Sequence, residues 1–252
     1  MPSPAINQHR AFTLVELLVV IVIIAVLAGL LFPVFGKVRR NGVETRTVSN
    51  LRQVGIAMGA YCAEHDGVFP GPLTQEQYPT YGTDAARDAG SLLKRLATYL
   101  SAVEKKDASK DTAKDTDVLA CPGFTGQKVD EVPGYLMNME MIGAFKQPVW
   151  GVIGSDEKLP LKRTALDAWT RPANAQPDDP SYNPGSDGTA ILSRKWAMRH
   201  TDQKDAGKLT PPLDGDWVKK LPELPAFDDH YQALFFDLHV ERYVPDYTAT
   251  NP

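Results

Sequence analysis

From Leu17 to Phe35 the chain runs nineteen residues without a charge. Wound as a helix at about 1.5 Å per residue, that stretch is roughly 28 Å long, one hydrocarbon core. A helix is also the one single-segment structure that satisfies its own backbone in such surroundings. The apolar character begins earlier, at Phe12, and is broken only by Glu16. A carboxylate at the centre of a membrane helix costs about 2.5–3.5 kcal/mol, so Glu16 needs a reason. A secretory signal peptide would have a shorter apolar region followed by small residues, and Ala28-Gly29 is a weak match to that. A plain anchor accounts for the length but not for the acid. Snorkelling of Glu16 to the headgroups is the bland account.

The helical pattern outlasts the apolar run. Val48, Leu51, Val54, Gly55, Met58, Tyr61 and Cys62 recur at three- and four-residue spacing, one face of an amphipathic helix. Arg46, Asn50, Arg52 and Gln53 fall mostly off it. The spacing predicts one helix from about Phe12 to about Glu64, with bends near Pro33 or Gly42. Gly67 and then Pro70 supply the stop.

Beyond that helix the sequence is rich in turns, with 20 prolines and 19 glycines in 252 residues. A net charge of −4 does not indicate a nucleic-acid binder or a basic membrane-surface protein. Leu92–Leu100 reads as a short amphipathic helix. Val103–Asp117 lacks apolar periodicity and reads as an exposed, mobile loop. Arg171–Gly188 and Thr201–Asp229 read as irregular. Short strands are predicted at 118–120, 135–137, 149–153, 189–192 and 196–198. The clearest pair, 232–236 and 239–244, reads as a hairpin turning at Asp237-Leu238. Cys62 and Cys121 either form a disulfide or stand as separate thiols.

Ala11-Phe12-Thr13-Leu14-Val15-Glu16 followed by Leu17-Leu18-Val19-Val20-Ile21 resembles the N-terminal processing and methylation motif of type IV prepilins and type II secretion pseudopilins. The resemblance implies a leader of residues 1–11, with Arg10 at its basic end, and cleavage between Ala11 and Phe12. Ala11 stands where the family usually has Gly. Phe12 would be N-methylated, and Glu16 would face the amino terminus of a neighbouring subunit, so that its charge is paired. Lys37, Arg39 and Arg40 beyond the run point the other way by the positive-inside rule; the processing motif takes precedence, because it demands a cytoplasmic leader. The implied organisation is a membrane-embedded half at 12–35, an amphipathic half at 36–66 and a periplasmic head at 67–252. The implied fold is α+β and pilin-like, with a small antiparallel sheet and long loops. The implied partners are the prepilin peptidase/N-methyltransferase, other pseudopilin subunits and the bacterial inner membrane.

Ser49–Pro70, SNLRQVGIAMGAYCAEHDGVFP, is similar to a bacterial pseudopilin-like group with an H-X9-DG processing-associated domain. Cys121-Pro122 and Gly134-Tyr135-Leu136-Met137-Asn138 resemble further elements of that group. So does the segment from His230 to Glu241, where Asp237 and His239 match the signature's Asp and second His. Its first His is either His200 or His230, with His200 favoured, and Leu238 replaces its Gly. Two His and an Asp could ligate zinc or exchange protons; fixing a hairpin turn is the simpler role. Asp111, Asp115 and Asp117 alternate with Lys110 and Lys114, which favours a solvated charge run over a calcium loop. No P-loop or dinucleotide-binding glycine pattern is present. The expectation is a structural subunit of a type II secretion or type IV pilus-like filament, not an enzyme, with no cofactor or metal. The alternative is a membrane-anchored periplasmic binding module with its ligand site in the loops of 171–229.

Overall fold

The structure, a computed structural model, describes residues 14–82, 84–100, 103–107, 110–122, 132–139, 141–142, 147–168, 195–209, 213, 215–223, 225, 227 and 229–244. Helix α1 covers Leu14–Glu64. The chain divides into two compact units, Met1–Gly42 and Val43–Pro252, so the division falls inside α1 rather than at its end. In the first unit the apolar side chains stand exposed, from Leu14 at 79% to Leu30 at 69%. In the second, Leu51, Val54 and Met58 are wholly buried. The period of the sequence pattern is therefore the period of burial. Asn50, placed off that face by pattern, is also buried, because its Nδ2 donates to the Asp117 carbonyl at 3.0 Å. The helix stops as expected: Asp66 and Gly67 both take positive φ, and the Gly67 N–H donates to the Cys62 carbonyl at 2.8 Å.

The second unit is built on a five-stranded antiparallel sheet. Its strands are β1 (Glu76–Gln77), β5 (Tyr135–Met137), β8 (Trp196–Arg199), β9 (Tyr231–Phe235) and β10 (Val240–Tyr243), adjacent in that order. Short helices α2 (Ala85–Ala89) and α3 (Leu92–Leu96) follow β2 (Thr80–Tyr81). They are capped by Asp84 and Ser91, whose side chains accept from the N–H groups of Ala86 and Arg87, and of Lys94. Alternation along β5 sorts the two cores. Tyr135 and Met137 face the cluster that holds Leu51, Val54, Met58, Phe69, Trp150 and Phe236. Leu136 joins Val132, Ala206, Leu209, Leu213 and Leu221 on the other side.

Several expectations change. Val103–Asp117 is not a loop throughout: β3 (Val103–Asp107) and β4 (Lys110–Asp115) pair antiparallel, and β4 also pairs with β2. Backbone pairing needs no apolar alternation, which is why the pattern hid it. Residues 118–120 form a turn, with Leu119 buried. Residues 149–153 also turn, and pairing falls just before them, between β6 (Met141–Ile142) and β7 (Gln147–Pro148). Thr189–Leu192 and Arg171–Gly188 lie outside the described residues.

The C-terminal hairpin forms, with four residues, 236–239, between β9 and β10 in place of the expected two. The Leu238 N–H donates to the Phe235 carbonyl and the Phe235 N–H to the His239 carbonyl, both at 2.9 Å. Leu238 closes the turn with φ at 74°. A left-handed conformation costs a non-glycine residue about 1–2 kcal/mol, and packing supplies the compensation. A Cβ on Gly55 would lie 3.0 Å from Leu234 Cδ1 and 3.2 Å from the Leu238 carbonyl oxygen, and one on Gly59 would lie 3.2 Å from Leu238 Cδ1. Gly55 and Gly59 thus open a notch on α1 that receives the hairpin tip. Gly55→Leu fills this notch and is expected to destabilise the protein by about 1–3 kcal/mol, read as a lower midpoint in chemical denaturation of the full chain in detergent.

Candidate functional site

Glu16 lies in the first turn of α1, exposed, at the end of the helix where a carboxylate is favoured by the macrodipole. Ala11 and Phe12 lie outside the described residues. No single helix among the described residues is long and apolar enough to cross a membrane; Leu14–Leu30 and Phe35–Glu64 meet that requirement together, by length and composition.

The four residues of the H-X9-DG-like pattern occupy three different settings. Asp237 and His239 belong to the hairpin tip. Asp237 Oδ1 accepts from the His239 backbone N–H at 3.2 Å and contacts His239 Nδ1 at 2.5 Å. The imidazole stacks on Phe235, with centroids 4.5 Å apart, and its Nε2 lies 3.3 Å from Glu241 Oε2. These contacts hold the turn against its own strands.

His200 follows β8 and is wholly buried. Its ring lies 4.5 Å from that of Tyr135, and its Nδ1 is 3.6 Å from Cys121 Sγ. Burial, with help from the neighbouring Arg199 charge, lowers its pKa to about 3. The ring is therefore neutral near pH 7. Cys62 and Cys121 are two separate buried thiols with no disulfide between them. Burial raises the Cys62 thiol above its ordinary value, which keeps it protonated and unreactive.

His230, just before β9, has carboxylates at both ring nitrogens. Nδ1 lies 2.8 Å from Asp229 Oδ1, and Nε2 lies 3.0 Å from Glu44 Oε1 on α1. The Gln232 amide donates to the same Glu44 oxygen at 2.8 Å, and Arg242 grips Asp229 with bonds of 2.8 and 2.7 Å. Hydrogen bonding from His230, with the Arg242 charge, lowers the Asp229 pKa despite partial desolvation. Among the described residues no three His, Cys, Asp or Glu side chains come close enough to hold a metal ion.

The polar centre that pattern reading missed is Arg199. Its Nη1 meets Asp205 Oδ2 at 2.6 Å with both side chains almost fully buried. The guanidinium lies 4.5 Å from the Trp196 ring centroid, 4.8 Å from that of Tyr243 and 5.3 Å from that of Tyr231. Thr201 donates to Asp205 at 2.9 Å, and the Tyr231 hydroxyl donates to Asp202. Asp202 caps α4 (Gln203–Ala206) by accepting from the Asp205 N–H at 2.8 Å. The Asp-x-x-Asp spacing at 202–205 is a helix-start signal that could have placed the cap, although nothing local marks Arg199 as its partner. The network ties β8, β9 and α4 together. Its central charge pair is Arg199 with Asp205, both almost fully buried, so its chemistry is cohesive.

Residues 6–32 match the family model of the prokaryotic N-terminal methylation motif. No curated protein and no solved structure matches the chain. The motif suggests a type IV pilin- or pseudopilin-like precursor and a membrane-anchored protein. Pilin-like proteins carrying it are structural proteins, not enzymes, and in them it is the cleavage site of the prepilin peptidase, which implies the peptidase and pilin partners. The helix followed by an antiparallel sheet agrees with the α+β expectation.

Two outcomes follow from the buried groups. Asp205→Ala leaves the Arg199 charge unpaired in the interior and is expected to cost about 3–5 kcal/mol, measured by urea titration. His200 gives a pH signature whose sign is fixed. The unfolded chain takes up its proton near the ordinary value of 6.5, the folded ring only near about 3. Stability is therefore full above pH 6.5 and falls as the pH is lowered from 6.5 towards 3. His200→Asn should flatten that part of a stability-versus-pH curve.

Proposed function

We propose that the chain is the precursor of a pseudopilin-like structural subunit, cleaved between Ala11 and Phe12, N-methylated at Phe12, and assembled through α1 into a type II secretion or type IV pilus-like filament. The observation that carries this reading is the match of residues 6–32 to the methylation motif, which spans both the cut and Glu16. The burial of α1 supports it. In the second unit the helix buries Leu51, Val54 and Met58, and in the first Leu17 and Ile24 are each 59% exposed. Such a surface is suited first to lipid and then to neighbouring helices. In that setting Glu16 pairs with the amino terminus of an adjacent subunit. The hairpin carrying Asp237 and His239 supports placement in the H-X9-DG group, where these residues fix the turn. The head then lies in the periplasm, and the peptidase and other pseudopilins are its partners.

Glu16→Leu tests the assembly role. The variant should still enter the membrane and lose its leader, because hydrophobicity is kept. Chemical cross-linking in cells should then give single subunits where the native chain gives ladders. Ladders of undiminished length from the variant would overturn the role of Glu16.

A further inference from the structure

We infer that His230 is a proton-gated latch joining the start of the head-bound part of α1 to β9, closed when the imidazole carries both protons and loosened when it loses one. The argument is one of donors and acceptors. Glu44 and Asp229 present carboxylate oxygens to the two nitrogens of one ring, at 3.0 and 2.8 Å. A carboxylate only accepts, and a neutral imidazole donates from one nitrogen alone. Both contacts are hydrogen bonds only for the imidazolium. Removal of a proton leaves a nitrogen lone pair facing a carboxylate in a setting where His230 itself is buried.

The surroundings determine which contact gives way. Asp229 is held independently by the two bonds from Arg242 of β10, and it remains in place. The neutral ring keeps its proton towards Asp229, and Glu44 is left with the Gln232 amide. Among the described residues, the charged and titratable groups shown in contact at the latch are Glu44 from α1, Asp229 from the segment before β9, and Arg242 behind Asp229 from β10. Phe227, 5.7 Å from the His230 ring, lies on the side towards His200, which is neutral and adds no charge there. Glu44 is two residues past the boundary at Gly42, so the latch fixes the first turn of α1 that belongs to the head. Further along α1, Arg46 lies 3.6 Å from Asp117, and Thr47 is buried.

The test is hydrogen–deuterium exchange of the full chain in detergent from about pH 5 to about pH 9, which brackets the range in which imidazoles change charge, with rates corrected for intrinsic exchange. Amides of residues 44–48 should lose protection by roughly tenfold as the pH rises, the scale of a charge-assisted hydrogen bond lost. Amides of α3 serve as the internal reference and should not follow. Glu44→Gln separates the latch from ordinary packing, because an amide can donate to the neutral ring or accept from the charged one. That variant should keep residues 44–48 protected across the whole range. A native chain with no pH dependence at 44–48, or a Glu44→Gln chain with the native slope, overturns the latch. Either result leaves the N-terminal processing reading untouched.

Discussion

The architecture depends on the contact between the second half of α1 and the C-terminal hairpin. Leu51, Val54 and Met58 are wholly buried within the cluster that contains Leu234 and Phe236. Close approach is possible because Gly55 and Gly59 present no side chains to Leu234 and Leu238. The leucine at the turn is strained in its backbone and anchored by its side chain. The hairpin in turn presents β9, buried along its whole length, to β8. The sheet is thus assembled outwards from the second half of α1.

This arrangement explains why the chain can carry two kinds of apolar surface without confusion. The run before Phe35 is apolar on every side and cannot form one face of a small domain. The stretch after Val43 is apolar on one side only. The polar network behind the sheet adds specificity: Arg199, Asp205, Thr201, Asp202 and Tyr231 hold β8, β9 and α4 in a single arrangement. The Arg199 charge is paired with Asp205, and Asp202 accepts from the Tyr231 hydroxyl and the Asp205 N–H, which suits a domain of fixed shape.

How much was legible in the sequence follows from the physics of each element. The helix and its end were readable because burial at three- and four-residue spacing and a positive-φ glycine are both local signals. Strand β5 and the hairpin were readable from β-rich runs between turn residues. The β3–β4 pair was not, since its charged strands carry no apolar alternation. Leu238 was legible as a leucine where a two-residue turn needs positive φ, but Gly55 and Gly59, which receive its side chain and carbonyl, are remote in sequence. The His and Asp residues were found as types but not as partners. Asp237 and His239 are two residues apart and meet at the hairpin tip, whereas Glu44 meets His230 from 186 residues away.

The central claim is that the N-terminal run is a processed assembly segment rather than a permanent anchor. Intact-mass and N-terminal sequencing of the mature protein recovered from native membranes tests it most directly. The account predicts a chain that begins at Phe12 and carries one methyl group on its amino nitrogen. A mature chain that still begins at Met1 would contradict it.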